Sequence, residues 1–596
     1  MKIFSFFKKE TPVSPLNIIY TRFPLAGSIV IICTVWLLYL INAEISWDEI
    51  GRAILICGTV FFFSLGVSLF TETIQKNKYT SYLPLVPLVY GAIMYFTDAG
   101  VKWDFESTVY LILHLAGFIW FIFIAPYIVS WFQNKENEIT YTNYFSMTSW
   151  ALFMADIVGV ALLVLWIIGI TSVIELFDLN NLIKEDKIIA NWAVLSLAFV
   201  APLYALIHMP RITELETRSY QVHKFFWFLI RFVGVPFIYL YFIILYAYSI
   251  RVLADFSDWP NGMISWMVIG FSAFGYLNYI FSKAYQTDSK HVSLFRKYFP
   301  LAVLPQTVML FYAIYLRINQ YDITMNRYFV VIFGVWLVIV SLYLLMSNKK
   351  SMSLVPASLA LISFVISVGP WSVFHLPLNR QYDRLVLNLE KANILKNGVI
   401  TPLKNTTDID ANLSRDIASG IEYVCGYSDC QLIRDLFPEQ IKNIKYTDSW
   451  NISSSIAATI KVQQYHDILR DPAAKYLRYQ NRTSILPLEL ETGYNKIVTI
   501  YSNTDTPPST ERYPHITINP DSNVALYHRS TQDIVSIPFV PPANISEDAL
   551  VFTIGNKQIR MKLFFQFLSV KNPQYTGDKN TDQSYYISGM ALVQDK

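Results

Sequence analysis

Three ionisable residues, His114, Asp156 and Arg231, fall inside long apolar runs of this 596-residue chain. A charged group in hydrocarbon is costly, so residues of this kind stand by default as candidates for ion pairing or proton relay. Asp156 has the chemistry to pair with Arg231 or to pass protons. Each of the three also lies close enough to the end of its run for the polar tip to reach the headgroups, a reading that asks for no function. No succession of intramembrane acids accompanies them, and no inverted repeat of broken helices of the kind secondary transporters use.

A second feature is Cys425-Gly426-Tyr427-Ser428-Asp429-Cys430, in the polar last part of the chain. It closes a tight loop that is stable as a disulfide in an oxidising compartment; two unrelated free thiols are the alternative. Zinc is disfavoured, because no second Cys or His pair stands at ligand spacing. Cys33 and Cys57 lie inside apolar runs, and His375, His466, His515 and His528 are scattered. The chain has no Gly-x-x-x-x-Gly-Lys phosphate loop, no His-Glu-x-x-His and no Gly-x-Ser-x-Gly. Neither a metal nor a cofactor is therefore implied. Asp48-Glu49, between the first two apolar runs, supplies a metal or base candidate for an enzyme acting on a lipid-linked substrate. That loop is short for such a site.

The elements that must carry these residues are membrane spans. Hydrophobic residues make up 54% of the chain, aromatics 16% and charged residues 15%, against about a quarter charged in soluble proteins. The net charge of +3 gives no reason to expect nucleic acid. Eleven apolar runs of span length are expected: Pro24 to Asn42, Ala53 to Thr71, Ser81 to Thr97, Thr108 to Trp131, Trp150 to Ser172, Ile188 to His208, Phe226 to Ser249, Gly262 to Ser282, Pro300 to Leu316, Tyr328 to Met346, and Met352 to Val368. The third is short and carries Pro84 and Pro87, whose freed backbone groups neighbouring helices must satisfy. The first is too long for a signal-peptide core and is expected to stay as an anchor.

Basic residues collect in the loops on the N-terminal side, from Lys8 and Arg22 through Lys76, Arg211, Lys224, Lys283 and Arg296 to Lys349 and Lys350. That side is expected to be cytoplasmic. An odd number of spans then puts the last part of the chain outside, in the periplasm of a bacterium. The expected architecture is a membrane α-helical bundle of about eleven transmembrane helices over residues 1–370, followed by an extracytoplasmic α+β domain over 371–596. Within the latter, 371–445 is expected to be helical and 446–596 mostly β. Two amphipathic helices follow from the apolar spacing of Tyr382, Leu385, Leu389 and of Ile409, Leu413, Ile417, Ile421. Strands are expected around Lys496 to Tyr501, Val524 to His528, Ile534 to Phe539 and Ser584 to Val593. Val551 to Ile554 and Gln558 to Leu563 flank Gly555-Asn556, a two-residue hairpin signal.

Three short strings remain: Trp259-Pro260-Asn261-Gly262, Ile323-Thr324-Met325-Asn326-Arg327-Tyr328, and Gly369-Pro370-Trp371-Ser372. With their flanking spans they resemble the domain of unknown function 4153 family of bacterial polytopic inner-membrane proteins. The likeness is clearest from about Phe226 to Gly398 and fainter in the first five spans; Tyr586-Ile587-Ser588-Gly589 looks like the family's closing strand. The family commonly has a Ser-rich stretch where this chain has Val373-Phe374-His375-Leu376-Pro377. The resemblance implies the architecture and no activity. All three strings fall on the outer face of the expected topology, which places Arg317, Asp322, Asn326 and Arg327 in one short loop beside Trp259, Asn261 and Trp371. Arginine forks suit carboxylate or phosphate, and indoles suit an interface or a sugar. The plainer reading is that Trp and Arg anchor helix ends while Pro-Asn-Gly makes a turn. The expected partners are membrane lipid and an envelope protein. The expected role is that of a scaffold, sensor or binding protein, with a glycosyltransferase-like membrane enzyme and then a transporter as alternatives.

Overall fold

The structure is a computed structural model that describes residues 15–74, 82–97, 105–133, 137–177, 185–212, 215, 224–254, 263–287, 289–347, 351–404, 408–428, 430–437, 449–462, 476–480, 494, 496–502, 515–519, 524–528, 534–538, 550–555, 559–571 and 588–595. The chain divides into two compact units, Met1–Arg380 and Gln381–Lys596.

The first unit is helical. Its principal helices are α1 (Pro24–Asn42), α2 (Trp47–Thr71), α3 (Val86–Thr97), α4 (Phe105–Ile124), α5 (Glu138–Leu176), α6 (Val235–Ala254), α7 (Met263–Phe281), α8 (Lys290–Tyr321), α9 (Met325–Met346) and α10 (Leu354–Val365). Among the described residues, eight helices are long and apolar enough to cross a membrane: Pro24–Asn42, Trp47–Thr71, Glu106–Phe132, Glu138–Ile174, Asp186–His208, Phe226–Arg251, Lys290–Tyr321 and Met325–Met346. The described residues bear out a bundle of apolar helices and do not confirm the expected count of eleven. Pro84 and Pro87 confine the third run to a 3-10 turn, Leu83–Leu85, and the 12-residue α3. The last run yields only the 12-residue α10. The helix α7 is 19 residues long, with the side chains of its first two residues outside the described set.

Without water inside the bilayer, helix association rests on close packing and interhelical hydrogen bonds. The helix α2 is the most enclosed, 61% buried over its apolar stretch, and packs against α1, α3 and α4. By contrast, Glu138–Ile174 is 11% buried and leaves most of its surface outward. Close approach has a visible device at Gly117 on α4, where an added Cβ would stand 2.7 Å from the Phe364 ring of α10. A second packing centre joins Tyr276 and Tyr279 of α7, Phe295 and Phe299 of α8 and Trp336 of α9 through ring contacts of 5.0–6.4 Å.

The second unit has two cores. Leu385 and Leu389 of α11 (His375–Lys391), Ile417, Ile421 and Val424 of α12 (Ala411–Ser428) and Ile452, Ile456 and Ile460 of α13 (Ser449–Ile460) form the helical one. The recurrence at three and four residues predicted α11 and α12. The helix α13 falls at the start of the stretch expected to be mostly β. Between α11 and α12 lies a hairpin unforeseen in the sequence, β1 (Leu395–Lys396) with β2 (Val399–Ile400). Asn397 (φ 49°) and Gly398 (φ 79°) make its turn with positive φ at both positions, which Asn-Gly adopts readily.

The remaining strands, β3 (Tyr476–Gln480), β4 (Lys496–Ser502), β5 (His515–Asn519), β6 (Val524–His528), β7 (Ile534–Pro538), β8 (Val551–Gly555), β9 (Ile559–Lys571) and β10 (Ser588–Asp595), form one sheet of order β3-β9-β10-β4-β5-β6-β7, with β8 also on β9. All ladders are antiparallel except β4–β5. Alternate residues Ile559, Met561, Leu563 and Phe565 of β9 are buried. The β8–β9 ladder runs to the pair Gly555–Arg560, and Asn556 of the expected hairpin turn lies outside the described residues.

Candidate functional site

The site is built where α8 meets α9. Tyr321 ends α8, Asp322 follows at φ 56° and ψ −174°, and α9 restarts at Met325. For a residue with a Cβ that backbone region is strained, and such strain concentrates at functional positions. Asp322 is held there by its own side chain: Oδ1 accepts from the Ile323 backbone N–H at 2.6 Å, and the carboxylate pairs with Arg380 at 3.3 Å. Arg327, in the first turn of α9, donates back to the Tyr321 carbonyl at 3.2 Å and the Asp322 carbonyl at 2.5 Å, with its guanidinium 5.4 Å over the Tyr321 ring. Those carbonyls lie at the C-terminal end of α8, where cations are favoured.

The next residue carries the contact onward. Tyr328 donates its hydroxyl to the Trp371 carbonyl at 2.6 Å, and the Trp371 indole donates to the Val365 carbonyl at 2.9 Å. Val373 N–H bonds Ile366 O at 2.9 Å, so the 366–375 turn folds back on the end of α10. Ser367, in that same turn, bonds His114 Nε2 at 2.9 Å, and His114 Nδ1 bonds the Tyr90 hydroxyl at 2.5 Å. His114 is 6% exposed and is flanked by the Tyr110 ring at 4.0 Å and Phe364 at 5.3 Å. The 366–375 turn thus links two groups of residues that the sequence set apart, the α8–α9 loop and the His114 position within α4.

Several expected placements change. Arg317 lies within α8, four residues before its end, and not in the loop; the helix runs on past Leu316 to Tyr321. Asn326 is exposed in the first turn of α9. Trp371 is 52% exposed. Trp259 and Asn261 lie outside the described residues. Among the described residues, no hydrogen bond or ion pair joins Asp156 to Arg231. Asp156 is exposed on α5, and Arg231 stands in the π-helical turn Leu229–Gly234, 5.2 Å from the Trp227 ring and 5.5 Å from that of Phe232. Asp48 and Glu49 occupy the first turn of α2, where Ser46 Oγ accepts from Glu49 N–H at 3.4 Å. Acids favour that turn for its N-terminal dipole alone.

Charge centres that the sequence reading counted only toward orientation are tied into the bundle. Arg22 bridges Glu72 at 2.6 Å and the carbonyls of Met209 and Pro210 at 2.5 and 2.7 Å. Buried Arg296 donates to the Tyr279 carbonyl and to Ser282 Oγ, and Lys283 pairs with Glu138 at 2.6 Å. Nothing in the spacing of these residues marks them, since their partners are far away in sequence. Among the described residues no group of three or more His, Cys, Asp or Glu is placed to hold a metal.

These features define a multi-pass α-helical membrane protein with a separate unit of helices and strands. The chain belongs to the family described as Domain of unknown function (DUF4153), whose profile matches residues 26–374. The match takes in the early helices as well as the later ones, and stops before the 586–589 string. The chain is similar to Uncharacterized protein PM1469 of Pasteurella multocida (strain Pm70), with 23% identity over 381 residues, covering 64% of this chain and 61% of the relative's length. No solved structure matches it.

Proposed function

We propose that this is a protein of a bacterial inner membrane with a cytoplasmic N-terminus, whose unit from Gln381 works in the periplasm as a scaffold, sensor or binding module for an envelope partner. The observation that carries this reading is that Gln381–Lys596 possesses helical and sheet cores of its own. A segment that buries its own apolar surface is suited to work in water, beyond the bilayer. The asymmetry of Lys and Arg among the short loops supports the orientation. Cys425 and Cys430, both buried with sulfurs 2.00 Å apart, suit an oxidising compartment.

The α8–α9 loop and the 366–375 turn belong to the first unit, shortly before its end in sequence. Asp322, Arg327 and Trp371 are engaged within that unit, and in this reading they brace its helix ends. The test is crosslinking in intact cells, comparing the full chain with one ended after Arg380. An envelope protein recovered reciprocally with the full chain and absent from the shortened one is the expected result; equal recovery from both would remove the tail from the role.

A further inference from the structure

Asp156 and Arg231 have no part in the preceding chemistry, and both look outward. Asp156 is exposed on α5 beside the exposed Phe153, Ile157 and Val160, and Arg231 is half-buried on the helix Phe226–Arg251 beside the exposed Phe228, Phe232 and Val233. Among the described residues neither makes a hydrogen bond or an ion pair; the contacts of Arg231 are with the rings of Trp227 and Phe232. A lone charge facing hydrocarbon is costly, and pairing with an opposite charge is the usual relief.

Contacts with α7 fix how the two helices run. Phe145 of α5 meets Phe281 at the end of α7 with rings 5.2 Å apart, while Glu138, earlier on α5, pairs with Lys283 just beyond that end, so α5 and α7 are antiparallel. The helix Phe226–Arg251 is antiparallel to α7 as well, with Gly234 against Asn278 and Tyr241 stacked on Phe271. The two helices are therefore parallel, and they touch where the rings of Trp150 and Phe226 lie 5.8 Å apart. Counted onward from that contact at about 1.5 Å per residue, Asp156 stands about 9 Å along and Arg231 about 8 Å, within a side chain's length of one depth. An acid and a base thus share a level on neighbouring outward faces.

That pattern selects its occupant. A phospholipid phosphate would neutralise Arg231 and be repelled by Asp156. In a two-fold dimer residue i of one copy meets residue j of the other, and j meets i, so a single contact face pairs both acids with both bases and leaves no charge alone. The apolar side chains around each charge then pack across the same face. Room for it is ample, because the apolar stretch of Glu138–Ile174 is 11% buried.

We infer that two copies of this chain associate in the membrane about a two-fold axis along its normal, with Asp156 of each copy paired to Arg231 of the other. Full-length copies carrying two different tags, co-expressed and extracted together in native-membrane discs, read this by reciprocal recovery. Wild-type copies are expected to recover one another. Asp156→Arg alone puts a base at both positions of every contact and Arg231→Asp alone an acid, so each variant is expected to lose about tenfold in recovery of its own kind. Co-expression of the Asp156→Arg copy with the Arg231→Asp copy sets opposite charges at both contacts of the mixed pair, and their mutual recovery is expected to return to the wild-type level. Such rescue in trans also shows that both variants fold. Asp156→Asn and Arg231→Gln, which remove a charge from hydrocarbon and so do not hinder insertion, are each expected to weaken recovery several-fold. Wild-type copies that stay single would overturn the dimer and leave the face to lipid. A mixed pair no better recovered than the separate reversals, or an unlike protein recovered in place of the second copy, would overturn the contact between Asp156 and Arg231.

Discussion

His114 has both ring nitrogens occupied, so deleting the ring takes this partner from the Tyr90 hydroxyl, whereas the Ser367 hydroxyl keeps its bond to the Phe364 carbonyl. Each buried group left without a partner costs about 1–3 kcal/mol, whereas a hydrogen bond within a membrane averages about 0.6 kcal/mol in double-mutant cycles. His114→Ala is accordingly expected to lower stability by about 1–3 kcal/mol and Tyr90→Phe by well under half as much, read from unfolding of the detergent-solubilised protein by intrinsic fluorescence. Equal losses would mean that the ring acts by volume and not by bonding. Asp322 permits a sharper contrast. Ala and Gly at 322 both forfeit the bonds to Ile323 and Arg380, but only Gly relieves the backbone at φ 56°. The Ala variant is expected to be the less stable by about 1 kcal/mol in the same assay; the reverse order would show an unstrained loop. His114 was legible in the sequence as an ionisable residue in an apolar run. Its partners were not, because Tyr90 and Ser367 are supplied by segments that only tertiary packing brings together.

At the scale of the element, periodicity carried as far as each helix or strand had to bury one face. The amphipathic spacing in α11 and α12 survives in the structure as the buried Leu385, Leu389, Ile417 and Ile421. The helix α13 is defined by Ile452, Ile456 and Ile460, four residues apart. Its signal is masked because Ser453, Ser455 and Thr459, which stand between them, are weak helix formers that offer the backbone other partners. The number of spans was less legible for a related reason, since an apolar run reports composition, while proline shapes how the run begins its helix, as in α3. Ile421 is fully buried between the helices of the second unit. Ile421→Ala is expected to cost about 2–5 kcal/mol in urea unfolding, against about 1 kcal/mol for Ile421→Val. A loss below about 1 kcal/mol for the Ala variant would show that α12 is not held by this core.

For the molecule as a whole, the number of crossings and the compartment of the second unit are one question, because each added or lost span moves Gln381–Lys596 to the other side. Eight long helices and two shorter apolar ones among the described residues leave that parity open to direct measurement, and the cysteine pair gives a reading that does not depend on counting. Closing a loop as short as Cys425–Cys430 is worth about 2 kcal/mol by chain entropy. In an oxidising compartment the second unit should therefore lose about that much stability when Cys425 and Cys430 are both changed to Ser, and the same loss should follow mild reduction of the wild type. In a reducing compartment the bond would never form and the double variant would behave as wild type in cells. Alkaline phosphatase joined at the C-terminus supplies the independent arm, active if the unit is periplasmic and silent if it is not. An active fusion together with thiols blocked to alkylation in freshly lysed cells is the expected outcome. A silent fusion with both thiols freely alkylated would put the unit in the cytoplasm, and with it the partner it presents itself to.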